Sequence, residues 1–169
     1  MSQRLIFADS VRPAFAEKVR LMATRLQTDP DFLMAVMAFE SAGTFSASVR
    51  NPVSGATGLI QFMPGTARGL GTSVTALASM TEEEQLHYVE QYFQPYVGLL
   101  GTLEDVYMAV LWPTAVGRPN DYILFDERDG AVYRQNRGLD YDGDGAITKK
   151  EATAGVRRRY WTGVDERDD

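Results

Sequence analysis

Two places in this sequence hold residues whose types and spacing point to chemistry. The first is Glu40. It closes the apolar run Phe32, Leu33, Val36, Met37 and Phe39, whose spacing predicts a largely buried helix. Asp29 is the expected N-cap, Pro30 the first helical residue, and Asp31 stands beside the positive end of the dipole. Glu40 falls at the other end, where the dipole disfavours negative charge. An apolar wall and a helix C-terminus both raise a carboxyl pKa, and a carboxyl still protonated near neutral pH serves as a general acid. Helix position alone favours an ordinary surface glutamate; the residues after the helix change that reading.

The second place is Asp140-Tyr141-Asp142-Gly143-Asp144-Gly145-Ala146-Ile147-Thr148-Lys149-Lys150-Glu151. The spacing is that of a complete EF-hand calcium loop. Asp140, Asp142 and Asp144 stand at loop positions 1, 3 and 5, and Gly145 at the sharp turn. Ala146 offers its carbonyl, Thr148 acts directly or through water, and Glu151 binds in bidentate fashion. Four carboxylates so close repel one another without a cation. The expected role is structural: calcium pins the C-terminal segment. A helix is expected after the loop, from Thr148 to Arg158, but not before it, where Gly138 interrupts a short segment.

The elements that must position these groups read as mainly α. A first helix is expected from Ser10 to Gln27, with Phe15, Val19, Met22, Ala23 and Leu26 on its core face. A loop rich in Gly, Ser and Asn spans residues 42–58, and a short helix follows Pro64. Thr81 opens another helix with a capping box to Glu84. It carries His87, the single histidine, read as a surface or core residue. Thr102 to Trp112 is the next helix, stopped by Pro113. Tyr122–Phe125 and Ala131–Tyr133 flank Asp126–Gly130 and read as a small β-hairpin or an irregular turn. Residues 1–169 are expected to form one domain with the loop 140–151 embedded in it.

Composition bounds the rest. The 169 residues suffice for one compact core. Without cysteine, disulfides and thiolate sites are excluded. The net charge of −6 argues against nucleic acid as a partner. No apolar run reaches the ~20 residues of a membrane span. The first residues show only a short apolar patch, Leu5–Ala8, unlike a signal peptide.

The order Glu40-Ser41, Asn51, Ser54-Gly55-Ala56, Gly58-Leu59-Ile60-Gln61, Met63-Pro64 and Thr66-Ala67 resembles the soluble lytic transglycosylases, relatives of goose-type lysozymes in the lysozyme-like superfamily. The resemblance implies a lysozyme-like helical domain with Glu40 as catalytic acid/base. It also implies that Ser41, Ser54, Gly55 and Gln61 belong to the saccharide cleft. Gly55 and Gly58 permit tight turns, and Gln61 offers a donor and an acceptor to sugar hydroxyl or N-acetyl groups. The family's Tyr-Asn-Ala-Gly motif is not in place in Tyr107–Gly117. Tyr107 and Trp112 are suited to stack on a sugar ring, although core packing is the expected role of each taken singly.

Three functions remain in competition. The leading one is cleavage of the β-1,4 bond between N-acetylmuramic acid and N-acetylglucosamine by a lytic transglycosylase, with a hydrolytic muramidase of endolysin type beside it. The lack of an evident second carboxylate near the motif favours the former; Glu104, Asp105 and Asp121 are remote candidates. The others are a non-catalytic peptidoglycan-binding module and a calcium-binding regulator. The protein is expected to act as a monomer on glycan strands in the periplasm or cell wall, with calcium its sole cofactor. Delivery by a phage particle, a lysis system or a secretion apparatus is expected.

Overall fold

The computed structural model describes residues 2–169, and the chain is mainly helical. Its centre is α2 (Pro30–Glu40), in which Leu33 through Ala38 are all buried. A helix apolar on every side has to be enclosed. α1 (Pro13–Leu26), α6 (Leu103–Leu111) and α9 (Ala154–Asp168) pack around it. Asp29 caps α2 as expected, its carboxylate accepting the Asp31 N–H at 2.8 Å. α5 (Glu82–Phe93) lies along α1 and opens with the expected capping box. Two short helices, α3 (Pro64–Gly69) and α4 (Val74–Ala78), lie between α2 and α5 in the chain.

α9 is poor in apolar residues, yet it is α2's main neighbour. Glycines explain the close approach. A Cβ on Gly155 would lie 2.8 Å from the Phe39 ring, and one on Gly163 would lie 2.7 Å from the Phe7 ring. Near the helix end, Arg167 pairs with Asp31 at 2.8 Å with both side chains mostly shielded. Asp31 also accepts the Ile6 N–H at 3.0 Å, so the start of α2 holds both ends of the chain.

The C-terminal region departs from the expected hairpin. β1 (Ile123–Asp126) pairs antiparallel with β2 (Ala146–Thr148), with Phe125 opposite Ile147, and residues 131–133 begin α7 (Ala131–Asn136). Asp126 starts a reciprocal cap: its carboxylate accepts the Arg128 N–H, and its own N–H donates to Asp129. That closes residues 127–129 into a 3-10 turn and leaves no strand to pair back. A helical turn therefore precedes the acidic loop, where none was expected. The exit helix is split at Thr153 into α8 (Lys149–Ala152) and α9. No described helix is long and apolar enough to cross a membrane.

Candidate active site

Glu40 is the last residue of α2. The chain reverses behind it through Ala42 and Gly43, both with positive φ, and Gly43 N–H bonds back to Ala38 at 2.7 Å. Residues 49–62 then fold into two back-to-back turns. Asn51 N–H donates to Ala56 O and Gly55 N–H to Asn51 O, both at 2.9 Å. Thr57 and Phe62 exchange backbone hydrogen bonds at 3.0 and 2.9 Å. The second turn needs Gly58: its φ is +86°, and a Cβ there would stand 2.3 Å from the Gln85 amide oxygen. Gln85, fully buried on α5, accepts the Leu59 N–H and donates to Ala47 O and Leu77 O. One side-chain amide thus ties two loop segments to α4.

An open cleft of about 440 Å³ results, lined by Glu40, Asn51, Ala56, Ile60, Gln61, Met63, Val110 and Leu111. Glu40 is its only acid. Burial lifts the Glu40 carboxyl from 4.5 to about 7, and no hydrogen bond or ion pair among the described residues offsets that cost. The carboxyl therefore holds its proton about half the time at neutrality, the poise of a general acid that must later act as a base. Burial, then Tyr96 and the Glu40 charge, raise the Tyr92 hydroxyl to about 12, and burial and the Glu40 charge push Tyr107 up.

Of the residues assigned to the sugar, Gln61 reaches the cleft. Its φ is +55°, and its amide nitrogen donates to Val49 O and Gly58 O, so its amide oxygen is left to accept from a ligand. Asn51 was present in the motif but had no assigned role. Its Oδ1 accepts the Val53 and Ser54 N–H groups, which leaves its amide nitrogen as a donor. Ser54 and Gly55 shape the turn behind Ala56, and Ser54 Oγ accepts the Ala56 N–H.

Three residues are not among those lining the cleft. Ser41 is fully buried, donating to Met37 O at 2.7 Å and accepting the Phe45 N–H at 2.9 Å, so it braces the turn after Glu40. Tyr107 is buried edge-on against Phe39. Trp112 packs against Phe125 with ring centroids 5.4 Å apart. Val110 and Leu111, which no sequence motif singles out, line the cleft one helical turn beyond Tyr107.

The acidic loop lies apart from the cleft. Carboxylate oxygens of Asp140, Asp142 and Asp144 stand within 4.8 Å of one another. Gly143 and Gly145 both have positive φ, as the winding requires. Glu151 folds back over the loop, accepting the Tyr141 N–H at 2.8 Å through one oxygen and the Thr148 N–H through the other. The Asp142 carboxyl is raised: the Asp144 N–H bond opposes this, but local desolvation, the charges of Asp144 and Glu151 and the contact with Asp140 outweigh it. Outside the loop, Glu127 lies against Gly145, and Tyr133 donates to Asp140 at 2.7 Å. Only their proximity in space identifies these two.

Residues 18–101 match the family described as the Transglycosylase SLT domain. The match takes in most of α1, all of α2 with Glu40, the double turn and α5, and it stops before α6 and the acidic loop. No curated protein matches the chain.

Proposed function

We propose that the protein is a peptidoglycan lytic transglycosylase with Glu40 as its single acid/base. The observation that carries this reading is a lone, buried carboxyl poised near neutrality in an open cleft, inside the segment that matches the Transglycosylase SLT domain. Glu40 donates its proton to the glycosidic oxygen as the bond from C1 of N-acetylmuramic acid breaks. The carboxylate then takes the proton from that sugar's own 6-hydroxyl as O6 closes on C1. The products are a 4-hydroxyl on N-acetylglucosamine and a 1,6-anhydro ring, and Glu40 ends protonated as it began. Gln61 and Asn51 supply an acceptor and a donor to the saccharide.

Hydrolysis ordinarily needs a second carboxylate across the bond. Glu104 is paired with Arg157, Asp105 with Lys149, and Asp121 is not among the lining residues. That supports the intramolecular 6-hydroxyl as nucleophile over water. The intact, proton-bearing Glu40 argues against a non-catalytic module. Mass spectrometry of muropeptides from digested peptidoglycan tests the reading. The expected ends are 1,6-anhydromuramic; ends heavier by one water would make the protein a muramidase, and undigested walls would remove the activity.

The acidic loop is proposed to hold a structural calcium ion. The donor set fits: hard oxygens of Asp140, Asp142, Asp144 and Glu151, with the Ala146 carbonyl and Thr148 completing the loop positions. The ion would cancel their mutual repulsion and hold β2 in place. A peptidoglycan substrate would set the enzyme's working place in the periplasm or cell wall.

A further inference from the structure

Lys149 is a buried cation that the proposed chemistry does not use. Its side chain is 2% exposed. Its ammonium donates to Asp105 Oδ1 at 2.5 Å, Arg118 O at 2.7 Å and Ala115 O at 3.0 Å. The same Asp105 oxygen accepts the Gly117 N–H at 2.8 Å. One ion pair thus gathers the segment 113–118, which returns alongside α6 after Pro113 ends that helix. A cation buried this completely persists only when its partners saturate it, and three acceptors do so here.

The segment it gathers leads directly to the cleft wall. Ala115, whose carbonyl Lys149 holds, donates its own N–H to Trp112 O at 2.9 Å. Trp112 N–H in turn closes the last turn of α6 on Met108 O at 2.8 Å. Val110 and Leu111 sit in that turn and face Glu40 across the cleft. On the other side Lys149 belongs to the acidic loop, between Thr148 and Glu151, and its N–H pairs with Tyr122 O at 2.8 Å.

We infer that Lys149 is a positioning residue for the cleft: its ammonium, through Asp105 and the 113–118 segment, holds the Val110–Leu111 wall that keeps water from Glu40. The functional consequence rests on the reading of Glu40 as the acid; the coupling itself does not. The groups that face Glu40 from the packed helices are the hydroxyls of Tyr92 on α5 and Tyr107 on α6, and every other lining residue is uncharged. A looser wall therefore acts on Glu40 through hydration alone.

The test is a carbon-13 NMR titration of Glu40 in glutamate-labelled protein, assigned with Glu40→Gln, in the wild type, Lys149→Met and Asp105→Asn. Circular dichroism checks that each is folded. Lys149→Met should lower the Glu40 midpoint by about one pH unit and, by lowering the protonated fraction, cut kcat/KM for peptidoglycan near neutrality roughly fivefold. Asp105→Asn keeps shape and an acceptor for Gly117 and Lys149 while removing the charge, so it should fold and lower the midpoint by less. If Lys149→Met does not fold, Asp105→Asn decides. A Glu40 titration unchanged in the folded variants overturns the inference. A wild type inert on peptidoglycan would end the transglycosylase reading but leave the titration readable.

Discussion

Glu40→Gln should do more than remove activity; it should change how stability depends on pH. Glu40 titrates at about 7 when folded and near 4.5 when unfolded, a rise of about 2.5 units caused by burial. Below pH 4.5 both states hold the proton, and the group adds no pH dependence. Between 4.5 and 7 the folded chain keeps a proton that the unfolded chain has released, so stability falls as pH rises. Above 7 both states are ionised and the loss is complete. At 1.36 kcal/mol per unit the cost of a charged Glu40 is about 3 kcal/mol. Gln fills the same space and carries no such slope.

Paired calorimetric melts of wild type and Glu40→Gln from pH 4 to pH 8.5 read this directly, because every other titrating group cancels in the difference. The variant should gain about 3 kcal/mol over the wild type across that range. For a chain of this size the gain is roughly 6–12 °C in Tm. Its wall cleavage should fall on the order of a hundredfold or more. The wild type's kcat/KM should decline through a basic limb with a midpoint near 7, the same group seen by a second method. Melts that stay parallel at all pH values would show that the carboxyl is hydrated, and the account of Glu40 as a proton donor would fail with them.

Other outcomes follow from the turn and the loop. If calcium binds the folded state alone, a hundredfold excess over Kd adds about 2.7 kcal/mol, so a chelator should lower Tm by roughly 5–11 °C. Glu151→Ala should lower Tm and make the melt indifferent to chelator; a wild-type melt that ignores chelator would remove calcium from the loop. Gly58→Ala must accept a positive φ and displace the buried Gln85 amide, which should cost about 2–4 kcal/mol in a denaturant titration. A cost under about 0.5 kcal/mol, the surface-substitution range, would mean that Gln85 does not fix the turn.

What the sequence made legible is what neighbours in the chain decide. The Asp29 cap, the Thr81 capping box and the burial of α2 all depend on residues a few positions apart, and each stands in the structure. The failures are choices among distant partners. β1 reads as half of a hairpin because Ala131–Tyr133 is apolar, but the Asp126–Asp129 cap turns that stretch helical and leaves β1 to β2. Ser41, Tyr107 and Trp112 have residue types suited to a sugar but do not line the cleft: Ser41 bonds to Met37 O, and the Tyr107 and Trp112 rings pack on Phe39 and Phe125.

Lys149 marks the limit of such reading most sharply. Nothing in the spacing of a calcium loop asks for a lysine between its ninth and twelfth positions, and a lysine beside four carboxylates reads as a solvated counter-charge. Its partners are Asp105, 44 residues away, and two carbonyls in the segment where the transglycosylase-like Tyr-Asn-Ala-Gly text is missing. The two departures from the expected pattern belong together. The region after α6 lacks the Tyr-Asn-Ala-Gly text, and it is there that Lys149 of the acidic loop bonds to two backbone carbonyls. Should an ion occupy that loop, Lys149 is the residue that connects it to the segment following Val110 and Leu111.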